Sequence, residues 1–163
     1  MKTNLLQSTT ARSLVRVLGA ILLLFVGADH YYEYAVDQYS VLPTIGTLFL
    51  LNFISATVIG LMLLVPLQRV LKRFGALAVQ LLSLGGFGIA ATSLAALLVS
   101  EHTKLFGFME SNYRPAIIIA IVSEAAAAVV LALLFVLSWR AGRSAHGPRV
   151  LLADPSQPSP GTT

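Results

Sequence analysis

The sequence predicts an all-α fold, a polytopic transmembrane four-helix bundle, and three observations carry that prediction. Of 163 residues, 56% are hydrophobic and only 11% are charged, with a mean hydropathy of +0.81, whereas soluble domains are roughly a quarter charged. The apolar residues collect in four stretches. Each has the length of about 20 residues that a helix rising about 1.5 Å per residue needs to cross about 30 Å of hydrocarbon. Lysine and arginine fall in short clusters beside those stretches, as topology and lipid head groups require. The formal charge of +4 is therefore read as membrane electrostatics, and nucleic acid is excluded as a partner.

The first stretch, residues 14–36, ends in the aromatic cluster Tyr31, Tyr32 and Tyr34, the composition of an interfacial belt. A signal peptide is the competing reading, because Lys2, Arg12 and Arg16 precede a short apolar run and Val26-Gly27-Ala28 resembles a cleavage site. A retained helix is favoured, since apolar character resumes past Asp29 as far as Val36. The second stretch, residues 42–67, opens with Pro43 at a first-turn position, where its missing N–H is harmless, and ends by Pro66. The third, residues 74–99, carries Gly85, Gly86 and Gly88, small residues that let a neighbouring backbone approach. The fourth, residues 115–140, starts on Pro115 and closes on Trp139 and Arg140, an interfacial aromatic and a snorkelling cation. Residues 1–13 form a basic N-terminal arm, and residues 141–163 a polar tail rich in Pro and Ser that should be disordered.

Orientation follows from the cations. Lys2, Arg12 and Arg16, then Arg69, Lys72 and Arg73, then Arg140, Arg143 and Arg149 share one side, against Lys104 and Arg114 on the other. Both termini are therefore expected in the cytoplasm of a multi-pass protein of the cell membrane. Asp29, Glu33, Asp37, Glu101 and Glu110 all lie in or beside the two outer loops.

Glu124 is the most informative residue. Nine residues into the fourth helix, it lies about 14 Å below the outer end, near the bilayer midplane. A charge there costs about 2.5–3.5 kcal/mol on insertion scales, so the carboxyl should face the bundle and be protonated or partnered. Asn52 lies nine residues below Pro43, at nearly the same depth, and an Asn52–Glu124 hydrogen bond is the specific expectation. Thr92 and Ser93 reach a somewhat shallower layer and would extend this intramembrane polar layer. No basic residue is expected at that depth, and no histidine there to activate a serine. Glu124 thus reads either as a proton or cation site or as a pair that fixes helix register.

Asp29, Glu33 and Asp37 recur every fourth residue and would line one acidic face if the first helix continued that far. His30 lies on an adjacent strip, and His102 on the same side of the membrane, so His30, Glu33 and His102 form a candidate metal set for copper or haem at the outer face. A transmembrane haem sandwich is disfavoured because both histidines are read at helix ends. His146 lies in the polar tail. The chain has no cysteine, hence no disulfide, thiolate metal site or thiol redox chemistry. It carries no nucleophile elbow, phosphate loop or zinc-protease motif, and Gly85-Gly86-Phe87-Gly88 lies inside an apolar helix rather than after a strand.

Residues 30–52, HYYEYAVDQYSVLPTIGTLFLLN, resemble a group of uncharacterised small four-helix integral membrane proteins of actinobacteria. The likeness is carried by Leu42-Pro43-Thr44-Ile45-Gly46 and Leu48-Phe49-Leu50-Leu51-Asn52, with the aromatic, acidic loop before them. It implies the architecture and no catalytic residue. Pro43 and Gly46 are suited to fix the entry of the second helix, with Asn52 below them.

The function expected from the sequence is that of a non-enzymatic binding or accessory component of the membrane. The alternatives are a small proton- or cation-coupled transporter or channel subunit using Glu124, and the outer-face metal or haem protein. The expected partners are the lipid bilayer and either further copies in a homo-oligomer or a larger membrane complex.

Overall fold

The computed structural model describes residues 2–110 and 114–145, with side chains described for residues 10–110 and 114–143. In order, the chain forms α1 (Lys2–Ala35), a 3-10 turn (Tyr39–Val41), α2 (Pro43–Leu64), a short α3 (Leu67–Val70), a second 3-10 turn (Lys72–Phe74), α4 (Gly75–Ser100) and α5 (Pro115–Ala145). α1, α2, α4 and α5 each contain a segment long and apolar enough to cross a membrane. Among the described residues no strand forms; Leu105 and Phe108 make an isolated bridge.

Three boundaries differ from the expected ones. α1 already runs from Lys2, so the basic arm is helical from that residue, because no glycine or proline interrupts residues 1–18. α2 stops at Leu64 rather than 67, since Val65 turns extended before Pro66. α5 continues past 140 to Ala145, so the first five residues of the expected disordered tail are helical. Residues 146–163, including His146, lie outside the described residues.

α1 packs against α2 and α5, and α4 against α5 and, less extensively, α2; α1 and α4 lie diagonally opposite and scarcely touch. This is an up-down bundle with short connections. Its interior follows from stripes that repeat at three- and four-residue intervals, the spacing that keeps one helix face on its neighbours. On α1 the stripe is Ala20, Leu23, Val26, His30 and Glu33; on α5 it is Ile117, Ala120, Glu124, Ala127, Leu131 and Leu134. On α4 it runs Val79, Ser83, Gly86, Ala90 and Ser93. The opposite faces are apolar and exposed, as at Ile21, Phe25, Ile54, Val58, Leu77, Leu81, Val122 and Val129. An outside as greasy as the inside is the surface of a protein solvated by lipid.

The two ends of the bundle differ. Toward the basic end, Leu23, Leu63, Leu131 and Leu134 are fully buried. Gly86 receives Leu23 and Leu131 so closely that a Cβ would meet their methyl groups at 2.7 and 3.1 Å. The other two glycines of the expected packing run behave differently: Gly85 meets one methyl, of Ile59, at 3.5 Å, and Gly88 meets nothing within 4 Å. Of these three glycines, Gly86 alone is a tight packing position. At the acidic end the stripes turn polar and the bundle opens.

Candidate functional site

The acidic end holds a cavity of about 420 Å³ lined by all four long helices and by the turn at 105–108. α1 supplies Asp29, His30 and Glu33; α2 supplies Phe49, Asn52 and Ser55; α4 supplies Thr92 and Ser93; α5 supplies Glu124. Among the described lining residues there are four carboxyl groups, those of Asp29, Glu33, Glu110 and Glu124, and neither lysine nor arginine.

His30 corrects the sequence reading most. It was expected among interfacial tyrosines, yet its side chain is only 8% exposed. A helical Cα–Cβ bond tilts toward the N-terminus, so the imidazole is carried deeper into the bundle than its backbone. Tyr31 and Tyr32, rotated by about 100° per residue, face outward at 50% and 48% exposure. The imidazole Nδ1 donates to the Val26 carbonyl at 2.9 Å. Its Nε2 lies 2.9 Å from Ser93 Oγ and 3.5 Å from Glu124 Oε1, joining α1, α4 and α5 across the bundle. A histidine is therefore available beside the intramembrane carboxylate, contrary to expectation.

The Asn52–Glu124 hydrogen bond is not made. Asn52 Oδ1 and Glu124 Oε2 are both buried with no hydrogen-bond partner, as is Glu33 Oε1. All three residues line the cavity. Thr92 spends its hydroxyl on the Gly88 carbonyl of its own helix at 2.6 Å. The polar layer is therefore Glu124, Ser93 and His30, with Asn52 across the cavity from them.

The hydrogen bonds constrain the protons. With Nδ1–H committed to a carbonyl, Nε2 either accepts the Ser93 hydroxyl proton or, protonated, donates to Ser93. Glu124 Oε1 lies 3.5 Å from that same nitrogen. Two arrangements satisfy these contacts: neutral His30 beside protonated Glu124, or imidazolium beside carboxylate, the Ser93–Nε2 hydrogen bond reversing its direction between them. Both hold the same one exchangeable proton and leave the cluster neutral. The order is not that of a hydrolytic triad, in which the acid orients the far nitrogen of the base; here a main-chain carbonyl holds the far nitrogen, and serine and glutamate share the near one.

Between the cavity and the loops sits Arg114. It reaches Asp37 Oδ2 at 2.5 Å and Glu33 Oε2 at 3.3 Å, the Tyr39 hydroxyl at 2.9 Å and Glu110 Oε2 at 3.7 Å. Tyr39 donates to Glu110 Oε2 at 2.7 Å. Burial opposes the Arg114 charge, but its hydrogen bond to Asp37 and the facing Tyr39, Glu33 and Glu110 outweigh it and raise its pKa. Burial, followed by the bond to Glu110, raises that of Tyr39. Both groups hold their protons throughout the physiological range.

Tyr39 owes its position to the turn before α2. Gln38 takes a left-handed conformation, φ 62°, and folds residues 39–41 back over α2, where a Cβ on Gly46 would meet the Tyr39 carbonyl oxygen at 2.7 Å. Tyr39 then stacks on Phe49, centroids 5.0 Å apart, and meets Phe108 edge-on at 5.3 Å. Phe49 also lies 5.1 Å from the His30 ring. The chamber is thus part aromatic and part carboxylate.

His102 is not brought to this site. It is exposed just past the end of α4, and its Nδ1 bonds the Leu98 carbonyl in the last turn of that helix at 2.9 Å. Among the described residues no group of three His, Asp or Glu side chains is placed to hold a metal ion, so the set His30, Glu33 and His102 is not assembled. Arg114, Tyr39, Glu110 and Phe49 were missed as site residues. One signal for them was present: Arg114, directly before the Pro115 helix start, faces a segment with acids at 29, 33 and 37.

Compared with models of known families, with curated proteins and with solved structures, the chain matches none.

Proposed function

We propose that this protein is a non-enzymatic membrane binding component whose chamber takes a small cationic molecule, an ammonium ion with N–H donors. One observation carries the reading: Glu33, Asn52 and Glu124, each with a buried side-chain oxygen that has no hydrogen-bond partner, line one cavity. Buried acceptors left unpaired cost about 1–3 kcal/mol each, and a ligand bringing several N–H groups satisfies them together. The four lining carboxyl groups, and the faces of Tyr39, Phe49 and Phe108, favour positive charge by Coulomb and cation–π attraction. The non-triad order of Ser93, His30 and Glu124 supports binding over hydrolysis.

The distribution of lysine and arginine supports a cell-membrane location with both termini in the cytoplasm and the chamber toward the outer side. Of the two cations on that side, Arg114 is engaged by carboxylates. The shared proton of Glu124 and His30 favours a second reading, a proton-coupled transporter subunit in which the cation replaces that proton; at four helices it would work as an oligomer.

The test is a thermal-shift series on the full chain in lipid nanodiscs with butylammonium, butanol and butyrate. Stabilisation by butylammonium alone, reduced in Glu33→Gln and Glu124→Gln, is expected. Equal stabilisation by butyrate, or none by the ammonium ion, would refute the chamber reading.

A further inference from the structure

The chamber has a side opening, and its position bears on what enters. Among the cavity-lining residues, Leu48 and Leu51 on α2 and Thr92 and Ala96 on α4 are themselves exposed. They face one another across the least extensive of the four contacts between neighbouring helices. One turn below Thr92 on α4, a Cβ added at Gly88 would meet nothing within 4 Å.

Depth decides what lies outside this gap. Leu48 and Leu51 are five and eight residues beyond Pro43, and Ala96 and Thr92 are four and eight residues before Ser100, which puts the gap about 6–12 Å below the helix ends at the helical rise. All four lie inside membrane-spanning segments. At that depth the surroundings are the first part of the acyl chains rather than water. The end facing the loops, in contrast, is held by Arg114 with Glu33, Asp37, Glu110 and Tyr39, and Leu105 and Phe108 of the bridged turn form part of the cavity wall.

We infer that the ligand is a single-chain amphiphile with a primary ammonium head: it enters from the lipid between α2 and α4, puts its head on Glu33, Asn52 and Glu124, and leaves its chain in the gap. The inference rests on the ammonium-binding reading of the chamber. The inner wall matches such a molecule along its length, with Leu48, Leu51, Ile89 and Leu97 beside the gap and the unpaired acceptors beyond them. Phospholipid head groups fit poorly, because no lysine or arginine among the described lining residues would meet a phosphate.

The experiment compares butylammonium with dodecylammonium, by native mass spectrometry from nanodiscs, on the wild-type chain and on Ala96→Trp, which plugs the gap from an exposed position. The expected result is that Ala96→Trp lowers retention of dodecylammonium about tenfold and leaves butylammonium unchanged. If neither amine binds the wild type, the chamber reading itself fails. If both bind equally well to wild type and variant, the chamber reading stands and lateral entry is refuted. A second measurement does not depend on the variant folding: a dodecylammonium carrying a photoreactive group at its chain end should label residues 48–51 and 92–96. Labelling confined to the loop at 101–110 would place the entrance at the aqueous end and overturn the inference.

Discussion

The two halves of this bundle are built on the same helical stripes and do opposite things with them. From Leu23, Gly86 and Leu131 toward the basic end, the stripe positions carry apolar side chains and small residues, and the helices close on one another. From His30, Ser93 and Glu124 toward the acidic end, the same positions carry polar groups, several without partners, around a cavity. Lipid tails are as apolar as leucine, so neither half gains much from hydrophobic burial; close packing holds the first half and hydrogen bonds tie the second. The difference teaches that close packing and unpaired polar groups occupy separate layers along one bundle axis, and the proposed binding belongs to the second.

The largest effect that would break this division is overpacking of the closed half. Gly86→Val adds a branched side chain where a Cβ alone already meets Leu23 Cδ1 at 2.7 Å, and should destabilise by about 3 kcal/mol, the upper part of the range for forced insertions. Denaturation in mixed micelles reads that loss, and ammonium binding by whatever fraction remains folded should be unaltered. A fall in affinity of the folded fraction would show that the two layers are mechanically coupled.

The next effect separates the roles of Glu124 within the open half. Glu124→Ala leaves His30 Nε2 without its acidic partner and should cost about 1–3 kcal/mol, whereas Glu124→Gln keeps an acceptor and adds donors, and should fold near normally. Equal losses would contradict a hydrogen-bonding role. Their pH behaviour should differ from the wild type as well. In the proposed binding, proton and ammonium ion compete for the same neutral cluster, so wild-type affinity for butylammonium should rise as pH increases between about 5 and 8, as protons leave on binding. Tyr39 and Arg114 keep their protons across that window, so the slope belongs to carboxyl and imidazole groups of the chamber: Asp29, His30, Glu33 and Glu124. Glu124→Gln should flatten it. An unchanged slope would move the exchangeable proton to Asp29 or Glu33, which Glu33→Gln then tests.

The fold was legible because span length and hydropathy set four helices almost independently of context, and Pro43, Pro66 and Pro115 mark their ends. The site was legible in part. Glu124 stood out because charge in hydrocarbon is costly, yet its partner was assigned by counting depth alone, and depth does not determine facing. Asn52 shares a layer with Glu124 but stands across a void from it, while His30, judged interfacial by its neighbours in sequence, continues the stripe Ala20, Leu23, Val26. Following that spacing three residues further would have placed Glu33 in the interior as well. The Arg114 cluster joins residues more than seventy positions apart, which no local pattern reports.

The smallest effect is the most diagnostic of what surrounds the bundle. Gly88→Ala adds a methyl group where nothing lies within 4 Å, and removes the backbone entropy cost of glycine in a helix, roughly 0.5–1 kcal/mol. In a bundle whose α2–α4 flank faces only lipid, this substitution should stabilise slightly, by up to about 0.5 kcal/mol after the new methyl displaces lipid. Gly86→Ala, two residues away, should destabilise, because its methyl meets packed side chains on both sides. The pair shares sequence neighbourhood, helix and chemistry, so propensity cancels and the sign of the difference reports packing alone. If Gly88→Ala instead destabilises, and does so more strongly at higher protein-to-lipid ratio, a second copy of the chain seats on that flank. The gap between α2 and α4 would then open into a subunit interface, and an entering amphiphile would have to pass between two protomers rather than directly from the bilayer.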